Sequence, residues 1–360
     1  MDQYFDLDDL QRIQTTDPNQ MLAHIDALPD QFENAWDLSQ TFSLPQSHRQ
    51  PKQIVLTGMG GSAIGGDLIA ALISRTSPVP FIVVRGYELP AWVNGPDTLV
   101  IASSFSGGTE ETLAAADQAA ARGVRMLAIS TGGTLADHAH THGYPLWPFD
   151  YRSQPRAALG WSFGLLIGLA HQLNLAPDLE TALHEAVALM REQRAVYSVS
   201  NPAPRNPTKR DAGQWMDRIP VVYGGGIFEP VARRWKGQLN ENAKAWAQYE
   251  PMPEANHNAI VGIEFPAERI PQMLGLFITS PQYDHPRVKL RHDLTYNLFL
   301  QHGIMADKFM PKGQSALAQM CHAIQHGDYV SFYVAMAYGA DPTPVTPIME
   351  LKTQMAQVKS

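Results

Sequence analysis

The run Thr57-Gly58-Met59-Gly60-Gly61-Ser62-Ala63-Ile64-Gly65-Gly66-Asp67 follows an apolar stretch at 54–57 and opens an Ala- and Leu-rich segment. A strand-to-helix turn of this kind binds anions, because glycines admit a ligand close to the backbone and the free N–H groups and dipole of the helix start favour negative charge. A second run, Ser103-Ser104-Phe105-Ser106-Gly107-Gly108-Thr109-Glu110-Glu111-Thr112, follows another apolar stretch at 99–102. Loops after two strands of one parallel sheet emerge on the same carboxyl edge. Gly60, Gly61 and Ser62 would then face Ser104, Ser106 and Thr109 across a cup of amides and hydroxyls suited to a phosphate monoester. Two other readings stay open on these residues. Gly58, Gly60 and Ala63 also fit the dinucleotide fingerprint, with Arg85 at the end of the second strand placed for NADP and no carboxylate there for a ribose. One of the second run's hydroxyls is also expected to cap its helix.

Four further side chains invite chemistry. Glu241 lies on a helix whose apolar stripe is read as Val231, Trp235, Leu239 and Trp246, from which it projects by about 120°. Taken alone it is a surface glutamate paired with Lys244. Arg156 follows Pro155 at an expected helix start, where the dipole disfavours a cation, so an anion is expected beside it. His257 sits in a loop between Asn256 and Asn258, amides placed to fix its tautomer, and Lys352 reads as a charge on a surface helix. The alternating His138, His140 and His142 follow a helix start without a Cys or acidic ligand set, which speaks for a polar helix and against a metal site.

Positioning these residues requires strands that alternate with helices, the signature of parallel α/β architecture. After a helical leader (1–50), strands are expected at 54–57, 81–84, 99–102, 126–129 and 146–149 in a first domain (51–195). A second domain (196–360) begins after a Pro- and Asn-rich junction at 198–211, with strands at 221–223, 260–263 and 274–279. It reads as a second copy of the architecture without repeated sequence.

Composition narrows the function classes. The 360 residues carry a net charge of -8 and no basic run, so nucleic acid is not an expected partner. The longest apolar stretch, 157–170, is too short to span a bilayer, which takes roughly 20 residues. The single Cys321 and the acidic start of the chain point to a reducing cytoplasm without export.

The two loops, Asn240-Glu241-Asn242-Ala243-Lys244, Glu254-Ala255-Asn256-His257-Asn258 and Gly327-Asp328-Tyr329-Val330-Ser331 together resemble, in order and across 52–352, the bifunctional phosphoglucose/phosphomannose isomerases of the sugar isomerase domain fold. Gly108 departs from the asparagine usual in that family. The resemblance implies two sugar isomerase domains and an aldose–ketose isomerisation of hexose 6-phosphates through a cis-enediolate, linking glucose 6-phosphate, mannose 6-phosphate or both with fructose 6-phosphate and using no metal or redox cofactor. It implies Glu241 as the base, Arg156 as the stabiliser of the enediolate, and His257 with Lys352 in ring opening. It further implies a homodimer in which His257 reaches the neighbouring subunit's site. A non-catalytic sugar-phosphate regulator of the same fold, and an NADP-dependent reductase, are the competing readings.

Overall fold

The computed structural model describes residues 6–358; residues 1–5 of the acidic start and 359–360 lie outside the described residues. The leader folds into helices α1 (Leu10–Thr16), α2 (Met21–Asp26) and α3 (Leu28–Thr41). There follow β1 (Gln53–Thr57), α4 (Gly60–Ile73), β2 (Phe81–Val84), β3 (Thr98–Ser104), α5 (Glu110–Ala121), β4 (Arg125–Ser130), α6 (Gly133–His142) and β5 (Leu146–Pro148). Their strands form a parallel sheet of order β2-β1-β3-β4-β5. Helices α7 (Leu159–Gln172), α8 (Leu179–Tyr197) and α9 (Pro207–Trp215) lead to the second lobe. This contains β6 (Ile219–Gly225), α10 (Glu229–Glu241), β7 (Gln248–Met252), β8 (Met273–Ile278), α11 (Pro286–Gln301) and β9 (Met305–Phe309), before α12 (Ala316–Tyr338) and α13 (Thr346–Met355). The second sheet, β7-β6-β8-β9, is parallel and repeats the order of the first without its fifth strand.

Strands buried on both faces read as continuous apolar runs, and β3 is buried along its whole length. Successive side chains point to opposite faces, so Leu56 and Ile101 of the first sheet share one core with Phe163 of α7, Leu276 of the second sheet and Tyr333 of α12. Val55, Val100 and Ala128 face a separate cluster on the outer side, and Val221 and Phe277 do the same on the second sheet. A helical layer between the sheets thus joins the two lobes. At its centre α12 is buried on every side from Leu317 to Ala337. It is started by Ser315, whose Oγ accepts from Ala318 N at 3.1 Å, and stopped by Gly339 in the left-handed region.

Two expectations need correction. The apolar run 260–263 is no strand: Ala259–Val261 is a short 3-10 turn and Val261 is 76% exposed. The sheet instead takes in β7 and β9, both at its edges, where a strand tolerates the Pro251 that marks β7 as unfit for a central place. The helix carrying Glu241 also stops there, so Trp246 leaves the apolar stripe and is 71% exposed, while Val231, Trp235 and Leu239 remain buried. The apolar stretch 157–170 lies largely in the buried helix α7, and among the described residues no helix is long and apolar enough to cross a membrane.

Candidate active site

Met59 leaves β1 in an extended conformation, and Gly60 then takes φ +49° to begin α4. A Cβ at Gly60 would meet nothing within 4 Å, so the glycine serves the dihedral. At Gly61 proximity decides. A Cβ there would lie 2.7 Å from Pro155 O and 3.2 Å from Arg156 N, so the bare backbone of the turn presses on the segment that carries Arg156.

Ser62 Oγ accepts from Phe105 N at 3.2 Å and fastens the two loops together. The hydroxyls of Ser104 and Thr109 share a hydrogen bond of 2.9 Å, and Ser106 Oγ accepts from Gly108 N at 3.3 Å. The structure therefore brings the two runs together through Ser62 and Phe105. One detail differs: Thr109 occupies the N-cap of α5 but makes no side-chain cap bond, because its hydroxyl is engaged by Ser104. The space around Gly108 is open apart from Ser106 Oγ at 3.9 Å.

Arg156 lies in a 3-10 turn, Pro155–Ala157, just before α7 and is only 3% exposed. Nε donates to Asn242 Oδ1 at 2.6 Å, and Nη2 donates to the carbonyls of Pro342 and Thr343 at 2.7 and 2.8 Å. Nη1 reaches Glu241 Oε2 at 3.4 Å, which supplies the anion that the position demanded. Burial pulls the guanidinium below the usual arginine range; the Glu241 charge opposes this and Arg234 adds to it. The expected pairing of Glu241 with Lys244 is absent from the side chains. Lys244, at φ +57°, donates Nζ to the Glu241 carbonyl at 2.6 Å and to Pro342 O at 3.1 Å. Desolvation of its ammonium, with Arg156 nearby, brings it down to about 8 even though much of the side chain is exposed.

Within one chain His257 and Lys352 do not join this group. α10 runs its 13 residues, roughly 20 Å, back from the carboxyl edge of the second sheet, whereas His257 follows β7 once the chain has crossed forward to that edge again. His257 is exposed, and its flanking amides turn elsewhere, Asn256 donating to Thr295 Oγ1 at 2.8 Å and Asn258 to Glu254 Oε1 at 2.9 Å. Lys352 is exposed on α13, a helix without buried residues. One face of α13, with Thr346, Met349, Glu350 and Thr353, lines a cavity of about 490 Å³ whose other wall includes Gln154, next to the Arg156 turn. The opposite face exposes Ile348, Leu351 and Met355.

Arg85 is not free for a nucleotide phosphate. It pairs with Asp67 of α4, which also takes Arg233 Nη1 at 3.0 Å, making a strut between the lobes. The three histidines fall in or at the end of α6, where His138 contacts Tyr144 OH at 2.7 Å and Asp117 Oδ1 at 2.9 Å and stacks on His142. Asn242, to which the sequence assigned no role of its own, meets Arg156, and Lys244, expected to pair with the Glu241 carboxylate, binds the Glu241 carbonyl instead.

Residues 48–144 match the SIS domain model, and residues 204–355 match the bacterial phospho-glucose isomerase C-terminal SIS domain. The chain is 39% identical to the bifunctional phosphoglucose/phosphomannose isomerase of Caldicellulosiruptor bescii, over 92% of this chain and 98% of that one. It is 33% identical to the protein of the same description from Aquifex aeolicus, over 84% and 90%. Among solved structures, the tagatose-6-phosphate ketose/aldose isomerase of Escherichia coli superposes with a TM-score of 0.67 at 16% identity, covering 94% of this chain and 96% of that one, a likeness of fold. The order of the elements, the two matched domains and the identity along nearly the whole length agree, and the chain belongs to the bifunctional phosphoglucose/phosphomannose isomerase family.

Proposed function

We propose that the chain interconverts glucose 6-phosphate, mannose 6-phosphate or both with fructose 6-phosphate, and that it does so at the junction of cup, Arg156 and Glu241. One observation carries this reading: Gly61 of the cup abuts the Arg156 backbone, and the Arg156 side chain touches the Glu241 carboxylate. A phosphate held by the amides at Gly60 and Gly61 and the hydroxyls of Ser62, Ser104, Ser106 and Thr109 leaves the other end of the sugar extended toward that carboxylate.

Starting from an aldose, Glu241 takes the C2 proton. The C2–H electron pair moves into the C1–C2 bond as the carbonyl oxygen gains negative charge, and Arg156 offsets that charge as it develops. The C2 hydroxyl passes its proton to the C1 oxygen, and as the carboxyl returns its proton to C1 the electrons of the C2 oxygen form the new carbonyl; this completes the ketose, so no external electron acceptor is required. His257 and Lys352 are the groups assigned to ring opening, the former acting in the site of a second copy. Two exposed apolar regions support a dimer: Val261 (76%) and Phe265 (79%) near His257, and Trp246 with the Ile348, Leu351 and Met355 face of α13 near the site. A symmetric pair that buried one region against the other would bring His257 toward the partner's carboxylate. We assign the reaction to the cytoplasm, where the buried Cys321 thiol stays reduced.

Fructose 6-phosphate incubated with the protein in deuterated water should give aldose labelled at C2. Glu241→Gln should lose the label and about 10³-fold in kcat. Undiminished exchange by that variant would remove Glu241 from the role of base.

A further inference from the structure

The run Gly327-Asp328-Tyr329-Val330-Ser331 lies in the buried middle of α12, and α10 packs so closely on it that a Cβ at Gly327 would stand 2.3 Å from Trp235 Nε1. Ser331 Oγ donates to the Asp328 carbonyl at 2.7 Å, which spends its proton, and accepts from Asn242 Nδ2 at 3.0 Å. With its Nδ2 committed to a hydroxyl that can only accept, the Asn242 amide has one orientation, and Oδ1 faces Arg156 Nε at 2.6 Å. The base of this arrangement is fixed as well. The Asp328 carboxylate holds Arg234 through two bonds, at 3.1 and 2.6 Å, and Gln238 at 2.9 Å, while Arg234 Nη2 donates to the Arg156 carbonyl at 3.1 Å. Asn242 and Ser331 are 0% exposed, so water does not substitute for either.

We propose that Asn242, oriented by Ser331, is a positioning residue that aims the Arg156 guanidinium at the reacting carbons. A guanidinium is planar, and fixing Nε from behind leaves Nη1 directed at Glu241, where the enediolate would form. The inference rests on the proposed role of Arg156 and assigns a task to the α12 run, which acts through Asn242 and makes no claim on substrate itself.

The test is a double-mutant cycle read as separate kcat and KM values for fructose 6-phosphate. Asn242→Ala should lower kcat about 30-fold, less than the 10²–10³ of losing a transition-state donor outright, with KM within about twofold. Asn242→Asp keeps the acceptor for Nε and should recover kcat to within about threefold of wild type; being isosteric, it also keeps the test available should the alanine variant fold poorly. In an Arg156→Ala background Asn242→Ala should cost less than about twofold. Equal losses in both backgrounds, or an Asn242→Asp variant as slow as Asn242→Ala, would overturn the positioning role alone. An Arg156→Ala enzyme with unchanged kcat would overturn the reading of Arg156, and this inference with it.

Discussion

Met59 and Gly225 close the leading strands of the two sheets with nearly the same dihedrals, φ/ψ of −128/159° and −127/154°, and each is followed by a glycine in the left-handed region, Gly60 at +49° and Gly226 at +55°. Beyond that point the contents differ. The first turn continues with Gly61 and Ser62, the second with Ile227 and Phe228, whose side chains are 3% and 0% exposed. The neighbouring turns differ in the same sense. After β3 come Ser104, Ser106 and Thr109; after β8, Thr279 and Ser280 meet Asp284, which takes the Thr279 hydroxyl at 2.7 Å and the Ser280 N–H at 2.9 Å. The backbone turn proposed to hold a phosphate is thus present twice, but in the second lobe apolar side chains and an internal carboxylate consume it. An anion site needs donors left unpaired by the protein as well as a suitable turn. In the proposed reaction the second lobe contributes its carboxylate from the far end of α10, at Glu241.

The largest separation between the lobes should come from the matched positions 61 and 227. Gly61→Ala places a methyl 2.7 Å from a backbone oxygen and forces the cup away from Arg156, so kcat/KM should fall about 100-fold, as displacements of an ångström do. Ile227→Ala empties a buried site and should lower unfolding free energy by about 2–4 kcal/mol with KM unchanged. Steady-state kinetics and urea titrations on both variants read the contrast, and an Ile227→Ala enzyme with strongly raised KM would merge the two turns into one function.

Acid should distinguish the lobes next. Burial holds His292 down at about 4 and His322 at about 3; His292 lies on α11 of the second lobe, and His322 lies on the shared α12 against Phe309 of β9. His292 is 0% exposed with neither ring nitrogen bonded, between Asp293, which raises it, and Lys308, which lowers it; His322 is lowered further by His326 and Lys312. Folded values below the unfolded one, near 6.5, mean that their stability is complete above pH 6.5 and is lost as pH falls toward 4 and 3. At pH 5 the loss is on the order of 2 kcal/mol for each group. Hydrogen exchange at pH 5 against pH 7.5 should show β6, β8 and α11 losing protection before β1 and β3, and His292→Met should flatten the response. Earlier loss in the first sheet would contradict it.

What the sequence disclosed follows the same division. Strands at 54–57, 81–84, 99–102 and 126–129 were readable because parallel strands buried on both faces are unbroken apolar runs. β7 was not, since an edge strand accommodates Gln248, Glu250 and Pro251, while the β-branched 260–263 imitated a strand that no partner required. The proposed cup could be read because its residues lie in two contiguous runs that the fold brings together. Arg156 disclosed that an anion was needed, but its partner is 85 positions away, and spacing carries no trace of a contact made by tertiary packing. Asn242 drew no role of its own beside Glu241 because an asparagine just past a helix end is ordinary, and only the bond to Ser331 suggests the positioning task proposed for it.

The smallest expected effect gives the finest comparison, between a hydroxyl of the proposed cup, bonded to another hydroxyl, and one bonded to a carboxylate. Ser104→Ala removes one donor from the cup and its bond to Thr109, and KM for fructose 6-phosphate should rise about 10-fold with kcat within about threefold, the pattern of binding lost equally from ground and transition states. Thr279→Val removes a hydroxyl of similar place in the second lobe, but that hydroxyl serves Asp284, so KM should not move and stability should fall by about 1 kcal/mol. If Thr279→Val raised KM as much as Ser104→Ala, the carboxylate of Asp284 would have to give way to substrate, and the second turn would count as a binding site after all.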